Sequence, residues 1–346
     1  MNSYLFVLDP ATHSANWKKN ISWDTAQKIN FQHKIQLKKL NTQITLIHLR
    51  DSTPKLANAN DPFPSISLLK SLLQKQIRRC ETEPALITAK QYITNHFASF
   101  IRRLIIILCE DVFLDPNIFL ILSWFSLAIT KTNYQISTYD AELCLNIIQA
   151  LCQETRFVEP KFLPEPPNIP IEQRNAQELQ LPENQMLLSL SYYVAYTTFF
   201  LQGDQHMFHY TLANYQNITK MTPIQILFQP IFHNIPTFGI DNFQTFGIDF
   251  HNYPDLTQKL ISYTKVLQAN EDEIKETIWI MRSGINKRKP NLLDELDEDK
   301  QLRILKIWNK IAQPVEYLTK KYILYKAFIK PTNEEIEVHD EPEIDS

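Results

Sequence analysis

The chain has 346 residues, and its 44% hydrophobic and 21% charged side chains are the composition of a folded protein with room for one large core or two ordinary ones. Only four glycines occur, Gly203, Gly239, Gly247 and Gly284, where an average usage of about 7% would give roughly 24. The closest two lie eight apart and phosphate-cradling loops need glycines two to five apart, so the P-loop, the dinucleotide fingerprint and the G-x-S-x-G nucleophile elbow are excluded.

In chain order, the front is β-leaning. Tyr4-Leu5-Phe6-Val7-Leu8 is a strand-sized run, and the alternation in Lys34–Lys38 and Gln43–Leu46 around Asn41-Thr42 predicts an antiparallel hairpin with Ile35, Leu37, Ile44 and Leu46 near its apolar side. Asp51–Pro64, with three prolines, reads as a linker. From Ser65 the period becomes helical, with Ile66, Leu69, Leu72, Leu73 and Ile77 in steps of three and four. Pro84 heads a second helix, and a third covers about 96–114, where Pro116 stops it. Ile118–Lys131 is apolar almost all round and predicts a buried helix, and Asp140–Gln153 an amphipathic one.

Six prolines between Pro160 and Pro182 mark an extended connection. Helices are expected at 184–201, 255–267, 271–283, 299–312 and 316–328, with an irregular stretch over 222–254.

Net charge is −3, unevenly spread. From Pro331 onward there are seven acids and no Lys or Arg, which leaves 35 basic against 31 acidic residues for the rest of the chain. Residues 1–50 hold seven basic and two acidic residues. The acidic run reads as a solvated, disordered tail, or as a segment that docks on a basic partner or shields the body's own basic surface. Cys80, Cys109, Cys144 and Cys152 match neither C-x-x-C nor a disulfide framework. The start has no signal-peptide pattern, and the longest apolar stretch, Ile118–Ile129, is too short for a bilayer. The expectation is a cytoplasmic or nuclear protein, not secreted and with no membrane partner.

Ser71-Leu72-Leu73-Gln74-Lys75-Gln76-Ile77-Arg78-Arg79, Pro84-Ala85-Leu86, Ile101-Arg102-Arg103-Leu104 and Leu108-Cys109-Glu110-Asp111-Val112 with Asp115-Pro116 occur in that order. This order resembles the helical C-terminal collar of the RarA/MgsA class of clamp-loader-like replication and recombination ATPases. The resemblance covers residues from about 65 to 116, lacks the ATPase domain, and has Phe113 where that family has glycine. It implies a helical oligomerisation scaffold at replication or repair machinery. Read from the residues themselves, Lys75, Arg78, Arg79, Arg102 and Arg103 are expected to pair with Glu110 and Asp111 as an ion-pair network tying helices together.

Three further constellations carry possible chemistry. His206 and His209 at i and i+3 could share a metal with Asp249 and His251. The phrases Thr237-Phe238-Gly239-Ile240-Asp241 and Thr245-Phe246-Gly247-Ile248-Asp249 look like a local duplication, and Asp249 could orient His251. Arg282, Lys287, Arg288 and Lys289 surround Gly284 and Asn286, either of which could end a helix in a left-handed cap; this segment could grip a nucleic-acid backbone or face the acids at 294–299.

The expected fold is mainly α, a multi-helix bundle-like body with a small N-terminal β-hairpin element and a disordered acidic C-terminal tail. Its parts are a β-leaning element (1–60), the collar-like helical domain (61–155), a Pro-rich linker (156–183), a second helical region (184–330) and the tail (331–346). The leading reading is a non-enzymatic scaffold that assembles with itself, as a dimer or tetramer, and serves replication or repair proteins, with no cofactor. Its rivals are a nucleic-acid backbone binder using 282–289 and a metal-dependent enzyme using His206, His209, Asp249 and His251. On the leading reading Leu72 and Ile106 belong to the assembly seam, and Leu72→Asp or Ile106→Asp breaks assembly or folding.

Overall fold

The computed structural model describes residues 2–18, 20–37, 42–49, 54–56, 64–158, 194, 198, 211 and 222–328. The Pro-rich stretch from 159, most of the helix expected at 184–201, His206, His209 and the acidic run from 331 lie outside the described residues.

Strands β1 (Asn2–Asp9), β2 (Ser14–Lys18), β3 (Ile29–Leu37) and β4 (Thr42–Leu49) form one sheet in the order β2-β1-β4-β3, with the short helix α1 (Trp23–Ala26) between β2 and β3. The expected hairpin is β3 with β4, where Ile35 faces Ile44. It is half of a larger unit: β1 and β2 form a second antiparallel pair, and β1 runs parallel to β4. Parallel partners are joined through long connections, so local alternation reveals each strand but not this pairing. Phe6, Leu8, Ile44 and Leu46 point to the main core, and Val7, Ile47 and Leu49 form a small cluster on the other face with Leu5, Ile21 and Ile29.

Four helices build the main core: α2 (Ile66–Arg78), α3 (Thr82–Asp111), α4 (Pro116–Lys131) and α5 (Thr138–Gln153). Helix α4 starts where the sequence provides both a cap and a first-turn proline, since the Asp115 carboxylate accepts the Ile118 N–H at 2.9 Å and Pro116 needs no acceptor there. It is buried nearly all round, and the Trp124 indole N–H donates to the Phe6 carbonyl at 3.1 Å, fixing helix against sheet. Helix α5 opens with a reciprocal capping box between Ser137 and Asp140. Helix α3 joins the two helices expected separately, through a non-helical His96 at φ −146°, ψ 49°, and it ends at Asp111, not 114. The described part of the 51–64 linker is pinned, with the Leu56 N–H on the Ile136 carbonyl and the Thr138 N–H on the Pro54 carbonyl.

The stretch after 222 is irregular, as expected, and its backbone is satisfied by side chains rather than by a ladder. Asp115 accepts the Ile224 N–H, Asn146 exchanges two bonds with Gln229, and Glu142 accepts the Ile231 and Phe232 N–H groups. Two 3-10 turns follow, Ile240–Asn242 and Thr245–Gly247. Then come α6 (Leu256–Leu260), which tightens into a 3-10 turn over Ile261–Leu267, and α7 (Glu271–Ile278), which widens into a π turn over Trp279–Ser283.

Helix α8 (Glu298–Phe328) replaces the two helices expected at 299–312 and 316–328. Pro314 sits inside it, and the carbonyl it deprives of a partner belongs to the exposed Lys310, where water can serve. The apolar stripe of Ile304, Ile307, Ile311, Val315 and Ile323 is buried on both sides of that proline, so packing holds the helix together across it.

Helix α2 belongs to two cores. Leu69, Leu73 and Ile77 pack into the main one, while Leu68 and Leu72 pack with Leu256, Ile274, Ile307 and Ile311 of the second. The protein is thus mainly helical with a small mixed sheet. Among the described residues no helix is long and apolar enough to cross a membrane.

Candidate functional site

The polar face of α2 gathers charged residues that are scattered along the sequence. Lys75, buried at mid-face, places its ammonium 2.7 Å from Asp249 Oδ2 and also reaches Ser71 Oγ and the Gly247 carbonyl. Burial lowers the Lys75 pKa to about 8, partly offset by Asp249. For Asp249 burial acts upward, but the Lys75 ammonium outweighs it and holds the carboxyl below its usual range.

One turn on, Arg78 Nε lies 2.5 Å from Asp111 Oδ1, with Nη2 at 3.9 Å from Glu110. Gln74 donates to both of these acids and accepts from Arg103 Nη1 at 2.9 Å. Burial, together with the adjacent Asp111, pushes the Glu110 pKa up. Of the five basic residues expected to pair with these two acids, Arg78 does so and four differ: Lys75 turns to Asp249, Arg102 is exposed, Arg103 reaches Gln74, and Arg79 donates to the Arg282 carbonyl while lying over the Phe246 ring at 4.1 Å.

The basic segment 282–289 is mostly turned inward. Arg282 is buried and donates to the Ile248 carbonyl at 2.7 Å and Thr319 Oγ1 at 3.1 Å; burial lowers its pKa to about 10. The π turn that carries it closes with the Gly284 N–H on the Trp279 carbonyl at 2.7 Å, and Gly284 is right-handed, not the left-handed cap expected. Arg288 donates to the carbonyls of Ile77, Leu151 and Glu154, Asn286 to Asp111 O at 3.0 Å, and Lys289 to Glu110 O at 3.3 Å. One segment thus caps the C-terminal ends of α2, α3 and α5. Those ends carry the negative pole of each helix and unpaired carbonyls, which is where cations are stabilised. Lys287 alone of the four basic side chains is exposed. The sequence shows these cations but not the carbonyls that wait for them, so an outward phosphate-binding patch is the natural misreading.

The duplicated phrases serve different ends. Gly247 lies against α2, where an added Cβ would meet Leu72 Cδ1 at 2.7 Å, whereas Gly239 has nothing nearer than Asn242 Oδ1 at 3.5 Å. Asp249 does orient His251, accepting its backbone N–H at 2.9 Å and lying 3.1 Å from Nδ1, and the imidazole is 67% exposed. His206 and His209 fall outside the described residues, and among the described ones no three His, Cys, Asp or Glu side chains are grouped to hold a metal.

What this arrangement does is tie three stretches of chain to one helix. It also corrects the place given to Leu72, which is fully buried against Gly247 inside the chain rather than at a seam between chains. Ile106 is only partly buried, packed against the main core.

Large apolar side chains reach solvent singly at Trp23, Leu227 and Val266, and five do so along α8, where Leu302, Leu305, Tyr317, Leu324 and Tyr325 are between 37% and 53% exposed. An open groove of about 470 Å³ runs beside it, between the 3-10 turns and the helix, lined by Phe243, Phe246, Ile323 and Leu324 with Lys320 and Glu316. Sequence reasoning missed this face because Pro314 reads as a break that would divide it. No protein-family model matches the chain, and no curated protein or solved structure matches it.

Proposed function

We propose that the protein is a non-enzymatic helical scaffold that assembles with itself and docks a protein partner, an accessory of replication or repair machinery. The observation that carries the reading is the contrast between two surfaces. The charged candidates Lys75, Arg78, Asp249, Arg282 and Arg288 are engaged inside the chain, while α8 offers apolar side chains to solvent. Large apolar groups held on one exposed helix are the usual raw material of a protein–protein contact. Kinship with replication machinery rests on the collar-like order of residues 71–116. There the network of Arg78 with Glu110 and Asp111 joins α2 to the end of α3.

Leu302 and Leu305, on the first third of α8, are the assembly contact in this reading. Native mass measured by light scattering over a tenfold concentration range tests it. A dimer or tetramer supports self-assembly, and a monomer throughout removes it.

A further inference from the structure

The core face of β4 ends in a histidine. Ile44 and Leu46 point into the main core, and His48, two residues on, follows them with 1% of its side chain exposed. Its Nδ1 lies 2.5 Å from the Leu49 carbonyl oxygen and its Nε2 lies 3.2 Å from Asp140 Oδ1. A carbonyl oxygen only accepts, and so does an ionised carboxylate. Asp140 behaves as one, accepting the Tyr134 hydroxyl at 2.8 Å and the Ser137 N–H at 2.7 Å on its other oxygen. With an acceptor opposite each ring nitrogen, His48 is satisfied only when both carry a proton.

The rest of the enclosure brings no rival acceptor of that kind. Leu8 and Phe31 are the neighbours of His48 on β1 and β3, and the Trp124 ring of α4 stands 5.5 Å away. Among the described residues, the ionisable groups that face His48 besides Asp140 are Tyr134 at 5.8 Å and Tyr139 at 6.5 Å, ring to ring. Behind Tyr139 lies His13, with Nδ1 2.9 Å from the phenol oxygen and Asp9 nearby. One turn along α5 from Asp140, burial keeps Cys144 an uncharged thiol. The position of the pair matters as much as its charge. Asp140 belongs to the capping box that starts α5, and the chain that has left β4 is fastened beside it, Leu56 N–H to Ile136 O and Thr138 N–H to Pro54 O. Sheet, exit segment and helix start therefore meet at one buried ion pair.

We propose that His48 is held as an imidazolium and works with Asp140 as a protonation-controlled clasp between the sheet and the helical body. Loss of the proton leaves a bare nitrogen against Leu49 O or Asp140 Oδ1. Two acceptors then face each other away from water, and the first turn of α5 loosens from β4. An unfolded histidine gives up its proton near pH 6.5, and the clasp makes the folded chain keep it to higher pH. Its contribution to stability is thus fully present below about pH 6.5 and is lost as pH rises through the titration of the folded ring. This device goes beyond the scaffold reading and does not depend on it.

Ring-nitrogen NMR of the full chain with labelled histidine reads the proton count directly, His48 being assigned through its contact with Trp124. The expected result is two protonated nitrogens at pH 7.5, where an ordinary imidazole is about nine-tenths neutral. As the ring titrates at higher pH, hydrogen-exchange protection of amides 137–141, taken relative to α2 in the same sample, is expected to fall at least threefold. In His48→Gln that ratio should no longer change with pH. A bare ring nitrogen at pH 7.5 overturns the proposal, and so does a titration of His48 that leaves amides 137–141 unmoved. Both of these readings are made on the wild type, so they decide the matter even where the variant does not fold.

Discussion

Lys75 and Asp249 stand 174 positions apart in the chain, yet their charged atoms are 2.7 Å apart, with side chains 5% and 4% exposed. The pair fastens the loop that carries Gly247 and Asp249 onto α2. Removing one partner leaves an unpaired buried charge, which costs about 3–5 kcal/mol. Lys75→Met is therefore expected to lose about that much in urea unfolding. Lys75→Met/Asp249→Asn should recover much of the loss, because the orphaned carboxylate is gone. A double variant no better than the single would contradict the pairing.

The same lysine gives a pH signature. Its folded pKa, about 8, lies below the usual lysine value of 10.5, so burial penalises the charged form. That penalty is fully present below pH 8 and is relieved as pH rises toward 10.5, where the unfolded chain binds more protons than the folded one. Between pH 8 and 10 the stability of the wild type is expected to rise relative to Lys75→Met. Parallel pH profiles of the two proteins would oppose this.

Arg288 and Lys287 are neighbours with opposite expectations. Arg288→Ala strips donors from the ends of α2 and α5, and about 2–4 kcal/mol of stability should go with them. Arg288→Lys should recover little, since a single ammonium cannot reproduce the planar fork. Lys287→Ala, at an exposed position, is expected to stay within about 0.5 kcal/mol of wild type. Equal losses from the two alanine changes would show that the segment does not cap those helices.

The two glycines of the duplicated phrase separate in the same way. Gly247→Ala drives a methyl into Leu72 and is expected to cost about 1–3 kcal/mol, partly regained by Leu72→Val. Gly239→Ala meets only ordinary contacts and should cost little. Guanidinium midpoints of the three variants decide between this steric account and a shared turn requirement.

Much of the local structure was legible in the residues. The alternation around Asn41 and the all-round apolar run of α4 each act over a few positions, and each appears where expected, whereas Pro116, read as the stop of the preceding helix, is the first residue of α4. The rest depends on partners distant in sequence. Nothing near Leu72 says that its face is covered by Gly247, and nothing near Arg288 says that three helix ends converge on it. Pro314 misled for a related reason: the local loss of one hydrogen bond is real, but buried side chains on both sides outweigh it. The ion pairs of Arg78 with Glu110 and Asp111 fell within reach because both elements are short-range neighbours, while the partner of Lys75 did not.

The central claim is that apolar contact on α8, not the buried charges of α2, is what this chain offers to other molecules. The most direct measurement is light scattering of the full chain and of Leu302→Asp/Leu305→Asp across a tenfold concentration range, with thermal unfolding of both. The expected result is a wild type above monomer mass and a variant at monomer mass with an unchanged melting temperature. Monomer mass for both proteins at every concentration, or an assembly unaffected by the two aspartates, would contradict the account.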